Sequence, residues 1–212
     1  FEAINNNFQS VIDQLNIRKG MKILDAGCGV GGGATYIAQK TKANVNGISI
    51  SPTQILEAKK NANLRGVSDL TKFEIMDYAN TSFPDNYFDA VFGIESVCYA
   101  YPKKDFLKEA IRILKPGGKI LIRDGYCNRK PKSDSEQALI RKFCDGWKLK
   151  ELIEWREMRK QIRASGFVDI NCEDYTERVK KSFRWMKFIT LIAKPFLFIA
   201  VIKDNVSSLE AG

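Results

Sequence analysis

Apolar and polar positions follow two rhythms along the chain. Short apolar runs at Lys22 to Asp25, Asn44 to Ile50, Lys72 to Met76, Phe88 to Ile94 and Lys119 to Asp124 predict five strands. Between them, apolar residues recur three and four apart, the helical spacing. Thr35 to Lys40 continues a helix with Ala34, Ile37 and Ala38 on one face. Pro52 to Leu64 is a second helix. Asp105 to Leu114 is a third, with Phe106, Leu107, Ala110, Ile111 and Leu114 along its buried stripe. Pro116-Gly117-Gly118 is expected to end that helix. Asn128 to Glu136 reads as a basic, polar loop. Leu152 to Ser165 reads as a helix closed by Gly166, and Phe167 to Asp174 and Leu197 to Lys203 as two last strands. Alternating strands and helices imply a parallel sheet covered on both faces. Two late strands with no long helix between them imply an antiparallel edge. The expected fold is therefore α/β, a seven-stranded and mostly parallel sheet whose last strand is antiparallel.

Composition narrows the function. The chain has 212 residues, 44% hydrophobic and 28% charged, which suits one folded domain and excludes wholesale disorder. It starts at Phe1 rather than Met, so an incomplete N-terminus is expected, and no segment reads as a secretory leader. The longest apolar stretch, Phe188 to Ile202, is interrupted by Lys194-Pro195 and is shorter than the ~18 residues that suggest a membrane span. Five dispersed cysteines without a C-x-x-C pair argue against a disulfide framework or zinc knot and for a reducing cytoplasm. There is no histidine, which removes the commonest general base and metal ligand; no metal site is expected. The net charge of +9 fits a basic solvated surface best, and also suits an anionic substrate, membrane surface or nucleic acid.

The chemistry concentrates in Asp25-Ala26-Gly27-Cys28-Gly29-Val30-Gly31-Gly32-Gly33, between the first strand and its helix. Glycines there let the backbone turn sharply and approach a ligand, and the next helix offers free N–H groups. Gly27, Gly29 and Gly32 also satisfy the dinucleotide spacing G-x-G-x-x-G. That site wants an acid at the tip of the second strand. Here the tip is Gly47-Ile48-Ser49-Ile50-Ser51, and the acid stands at Asp25 instead.

Asp25, Gly27, Gly29 and Gly31 resemble the first motif of class I S-adenosylmethionine-dependent methyltransferases, which have a Rossmann-like fold. The resemblance covers nearly the whole chain, implying one such domain over 1–204, a substrate cap within about 128–196 and a tail over 205–212. It implies that the loop, with Cys28 offering its backbone N–H, cradles the methionine part of S-adenosylmethionine. Asp25 would help hold the amino group. Asp77-Tyr78 follows the third strand where the family recognises adenine. Phe83 to Asp89 and Leu114 to Lys119 fit later family segments.

Ser49 stands where most members carry an acid, and Ser51-Pro52-Thr53-Gln54 follows. This is similar to a subgroup containing sterol and tocopherol methyltransferases and cyclopropane fatty acid synthases. The resemblance assigns Ser49, Ile50 and Gln54 to the adenosine side. Ser51-x-x-Gln54 with Pro52 also fits a capping box, and both readings stand. Gly93-Ile94-Glu95-Ser96-Val97-Cys98-Tyr99-Ala100 resembles the Glu-centred segment of sterol methyltransferases. It places Ile94 beside the cofactor and Glu95 and Tyr99 at the acceptor. The expected activity is methyl transfer to a small lipophilic acceptor (sterol, isoprenoid, quinol or related natural product), with no nucleic acid partner. The protein is expected to be cytoplasmic, a monomer or homodimer, with peripheral membrane contact left open. Phe183, Trp185, Met186, Phe188 and Ile189 suggest an apolar lid. An RNA or protein methyltransferase and a non-catalytic S-adenosylmethionine-binding module are the alternatives.

Overall fold

In the computed structural model the described residues are 2–180. They fall in two compact units, Phe1–Asp169 and Ile170–Gly212, and every element named below lies in the first. In chain order these are α1 (Glu2–Leu15), β1 (Lys22–Ala26), α2 (Gly32–Thr41), β2 (Asn44–Ser49), α3 (Pro52–Leu64), β3 (Thr71–Ile75), β4 (Phe88–Ile94), α4 (Lys103–Ile113), β5 (Leu114–Arg123), α5 (Asp134–Trp147) and α6 (Trp155–Ala164).

The strands form one sheet in the order β3-β2-β1-β4-β5, every pairing parallel. Side chains alternate between its faces, so neighbouring residues feed different cores. Ile23, Val45, Phe73, Ala90 and Phe92 pack with Val11, Ile37 and Ile55, on the side of α1, α2 and α3. Leu24, Ile48, Phe88 and Val91 pack with Phe106, Leu107, Ala110, Ile113 and Met158, on the side of α4 and α6. Both faces are covered, which is why these strands carry near-continuous apolar runs.

Three expectations need correction. The described residues hold five parallel strands rather than seven with an antiparallel edge. The stretch 167–174 is irregular: Asp169 takes a left-handed φ of 51° and Val168 is 80% exposed, so neither backbone nor burial sustains a strand. Leu197 to Lys203, like the apolar lid at 183–189, lies outside the described residues. Pro116-Gly117-Gly118 does not cap α4. Leu114 already pairs with Phe88, and the register jumps to Ala90 with Lys119, so the Pro-Gly-Gly segment is an irregularity inside β5. Two helices, α1 and α5, were not anticipated. The first is fastened to β5 through Arg123, which bonds Asn7 and the Ser10 hydroxyl.

Candidate active site at the strand tips

The strand order reverses between β1 and β4, so a crevice opens at their carboxyl ends. The glycine loop lies there. Gly27 has φ 88°, and a Cβ on it would sit 2.5 Å from the Cβ of Ser96, beyond β4. Only glycine fits between the two loops. A Cβ on Gly29, at φ 52°, would meet nothing within 4 Å, so this part of the loop faces open space. Gly27 and Cys28 both donate their N–H groups to the Ile48 carbonyl, at 3.0 and 2.9 Å. The Cys28 N–H is thus turned into the fold, contrary to the expectation that it faces the cofactor. Burial pushes the Cys28 thiol up, with a second push from Asp25, so it is no nucleophile.

Asp25 is 5% exposed, and burial raises its carboxyl to about 7 against an opposing hydrogen bond from the Ala34 N–H. It sits under the N-terminus of α2, where a negative charge is favoured by the helix dipole.

At the tip of β2, the Ser49 hydroxyl donates to Gln54 Oε1 at 2.7 Å and accepts from the Ser51 N–H at 3.2 Å. Ser51 caps α3 by accepting from the Gln54 N–H at 3.4 Å. The capping box is therefore half formed. Gln54 does not reach back to Ser51; its carbonyl is held by Ser49, which fixes how its amide is presented. Ile50 and Ile75 are 75% and 58% exposed at neighbouring strand tips. Asp77 holds a turn by accepting from the Ala79 N–H at 2.8 Å. Tyr78 packs edge-on against Phe106 and donates its hydroxyl to the Ser96 carbonyl at 3.0 Å.

On the other side of the crevice, Ile94 ends β4 and Glu95 follows with a left-handed φ of 51°, its N–H bonded to the Arg123 carbonyl at 2.8 Å. Ser96 ties this turn to β1 by donating to the Ala26 carbonyl at 2.6 Å. Buried Lys103 holds its far end, donating to the Cys98 and Ala100 carbonyls at 3.0 and 2.8 Å. Glu95 and Tyr99 are both exposed; partial burial of its ring raises the Tyr99 hydroxyl, and Cys98, Glu95 and Asp124 add to this.

The residue that sequence reasoning missed is Asp124, just past β5. Both carboxylate oxygens are buried, and neither accepts a hydrogen bond of good geometry; the nearest donors are the thiol and N–H of Cys98. Burial raises the group to about 7; the Cys98 thiol and N–H offset part of this, and Glu95 adds to it. Burial, and after it Asp124, pushes the Cys98 thiol up to about 12. The available signal was an acid at the carboxyl end of the fifth strand, where open α/β sheets bind ligands.

Residues 24–122 match the model of a methyltransferase domain. Over these residues the chain carries a methyltransferase domain of the class I, S-adenosylmethionine-dependent kind. Over 167 residues it is 34% identical to phosphoethanolamine N-methyltransferase 1 of Arabidopsis thaliana, covering 79% of this chain and 33% of that protein. Over 183 residues it is 35% identical to a sterol 24-C-methyltransferase of Aspergillus fumigatus, covering 84% and 48%. The chain thus spans between a third and a half of the length of these relatives.

Two solved structures share the fold. The [4+2]-cyclase SpnF superposes with TM-score 0.71 at 26% identity, covering 82% of this chain and 60% of that one. Phosphoethanolamine N-methyltransferase 2 of Haemonchus contortus, solved with S-adenosylmethionine, superposes with TM-score 0.77 at 23% identity, covering 89% and 43%. The crevice has features that suit that cofactor. The loop is open at Gly29, the carboxylate of Asp25 is buried beneath it, and apolar Ile50 and Ile75 stand exposed at neighbouring strand tips. Among the described residues no cluster of metal-ligating side chains occurs, and no helix is long and apolar enough to cross a membrane.

Proposed function

We propose that this chain transfers a methyl group from S-adenosylmethionine to a small lipophilic acceptor, a sterol, isoprenoid, quinol or related natural product, at carbon or a heteroatom. The observation that carries the reading is the pairing of an open glycine loop with an acidic, partly aromatic wall across one crevice. The matched relatives are named for methylating small molecules, which supports it; nothing favours an RNA or protein acceptor.

In this reading Gly27, Cys28, Gly29 and Gly31 shape the loop around the methionine part, with Asp25 beneath it. Ser49 and Gln54 serve the ribose, while Ile50, Asp77, Tyr78 and Ile94 serve the adenine end. The domain would extend over 1–204, with the substrate cap within about 128–196. When bound, the sulfonium supplies an electrophilic methyl carbon, so the protein's own contribution is alignment and charge. Glu95, Tyr99 and Asp124 face the acceptor. A carbon acceptor develops positive charge as it is methylated, and a heteroatom acceptor must lose a proton. Both are served by carboxylates with few competing hydrogen bonds. Asp124, whose carboxyl is raised to about 7 by burial, is suited to take up that proton.

The resemblance to a cyclase keeps a second reading in view: the same fold and crevice serving a reaction without methyl transfer. Calorimetric titration with S-adenosylhomocysteine, beside an Asp25→Ala variant, tests the cofactor site. Micromolar binding that the variant loses is expected, and a folded protein that does not bind overturns the proposal. Transfer of labelled methyl to sterol, isoprenoid or quinol acceptors then separates the methyltransferase from a cofactor-bound cyclase.

A further inference from the structure

The loop after β5 leads into α5, and this helix stands largely apart from the sheet. Its N-terminus is capped by Ser133, whose hydroxyl accepts from the Glu136 N–H, and Cys144 is its one buried residue. Leu139, Phe143 and Trp147 are 69%, 44% and 56% exposed. Spaced four apart, they form one stripe along the helix. The Phe143 and Trp147 rings lie 6.2 Å apart.

The charges around the stripe are sorted. At about 100° per residue, Asp134 and Asp145 fall on the side away from it, while Lys142 borders it. Glu136 is neutralised by Arg129, whose two terminal nitrogens donate to it at 2.8 and 2.9 Å. Lys130 and Lys132 precede the helix and Lys148 and Lys150 follow it, all exposed. The segment 129–150 carries seven basic and three acidic residues. An apolar stripe with aromatic residues at its end and a basic rim matches the interface of an anionic bilayer, where such a helix lies in the plane with its apolar face sunk about 5–10 Å. A second copy of the chain is a poorer occupant. The stripe is roughly 12 Å long on a helix about 10 Å across, on the order of 120 Å², well short of the ~800 Å² per partner that a stable interface needs.

We propose that α5 is a docking helix that lays its Leu139–Phe143–Trp147 stripe on a membrane surface containing anionic lipid. The inference rests on the reading above in one respect only: a lipophilic acceptor would be drawn from that membrane.

The test is co-sedimentation of the full chain with vesicles of phosphatidylcholine alone and of phosphatidylcholine mixed with phosphatidylglycerol. Binding only to the mixed vesicles is expected, weakening as salt rises. A blue shift of tryptophan emission should accompany it and be absent from Trp147→Phe. The triple variant Leu139→Ser, Phe143→Ser, Trp147→Ser should partition at least ~10-fold less, with helical circular dichroism and S-adenosylhomocysteine affinity unchanged. Lys142→Glu with Lys148→Glu keeps the stripe and should also release the protein, which guards against misfolding of the triple variant. No vesicle binding, or equal binding by wild type and triple variant, overturns the proposal. So does a dimer of the wild type that the triple variant loses, which would make a second copy the occupant. Lost vesicle binding with intact S-adenosylhomocysteine binding removes the docking alone; lost S-adenosylhomocysteine binding removes the functional reading.

Discussion

The two walls of the crevice are built on different terms. On the β1–β2 side, polar groups are spoken for. Ser49, Gln54 and Ser51 bond one another, the loop amides of Gly27 and Cys28 bond Ile48, and Asp77 holds its own turn. On the β4–β5 side, Asp124 is buried with no well-formed hydrogen bond to either oxygen, Glu95 has a left-handed backbone and Tyr99 stands exposed. Satisfied groups cost little and hold a fixed shape. An unsatisfied buried carboxylate costs stability until something charged or hydrogen-bonding arrives. The first wall therefore holds a fixed shape, while the second carries an electrostatic cost that a bound cation or hydrogen-bond donor would relieve.

The largest effect should come from the contact that joins the walls. In Gly27→Ala the new Cβ would stand 2.5 Å from Ser96 Cβ, on a backbone with φ 88°. Ser96 cannot yield easily, because its hydroxyl is bonded to the Ala26 carbonyl at 2.6 Å. We expect about 3 kcal/mol of destabilisation, a drop in Tm of about 10 °C by thermal unfolding, and loss of S-adenosylhomocysteine binding. An unchanged Tm would mean that the walls are not coupled at this point.

Asp124→Asn should change stability in the opposite direction. An unfolded aspartate titrates near 3.9, whereas Asp124 in the fold titrates at about 7. Between those values the folded state holds a proton that the unfolded state has lost. Its contribution to stability therefore falls as pH rises from about 4 to about 7 and stays low above that. The variant should be more stable than wild type at pH 8 by about 1–2 kcal/mol, less than the full pKa shift implies because the amide is also left without partners. The gap should close near pH 4. Asp25 is raised to about the same value for the same reason, so part of the wild-type pH dependence should survive in the variant. Methyl transfer should fall while S-adenosylhomocysteine affinity holds. Equal stability at both pH values would mean that Asp124 carries no such cost.

Gly29→Ala separates the two glycine roles. Its Cβ meets nothing, so only the left-handed φ of 52° is penalised, about 1 kcal/mol by denaturant unfolding. Cofactor affinity should nevertheless fall at least ~10-fold if the open face of Gly29 is where the ligand lies. A variant that binds as wild type would move the ligand elsewhere along the loop.

Much of this was legible in the sequence, and what was not has local causes. β1, β4 and α3 were placed within a residue because they carry unbroken apolar or helical patterns closed by clear signals, such as Ser51-Pro52 before α3. The Pro116-Gly117-Gly118 segment looked like a helix stop; strand pairing with β4 overrode that local preference. The α5 helix was hidden because its apolar residues face outward among lysines and arginines, so no buried stripe announced it. The glycine loop was readable because its residue types are dictated by backbone geometry. Asp124 was not, because an acid ending a strand acquires its character only from what the fold packs around it.

The smallest effects come from the two serines that flank the tip of β2 and both bond Gln54, whose role the sequence leaves open between ribose contact and capping. Ser51→Ala removes a long N-cap bond of 3.4 Å, so about 0.5 kcal/mol of stability should go, with cofactor affinity nearly intact. Ser49→Ala removes the 2.7 Å bond that orients Gln54, and also the acceptor of the Ser51 N–H. Gln54 then regains rotamer freedom, which costs about 1 kcal/mol to suppress again on binding. Ser49→Ala should therefore weaken S-adenosylhomocysteine about fivefold by calorimetry, and adding Gln54→Ala to it should weaken binding further by much less than Gln54→Ala does alone. If the two substitutions instead add fully, Ser49 does not act through Gln54, and the Ser49–Gln54 bond is only part of how α3 begins.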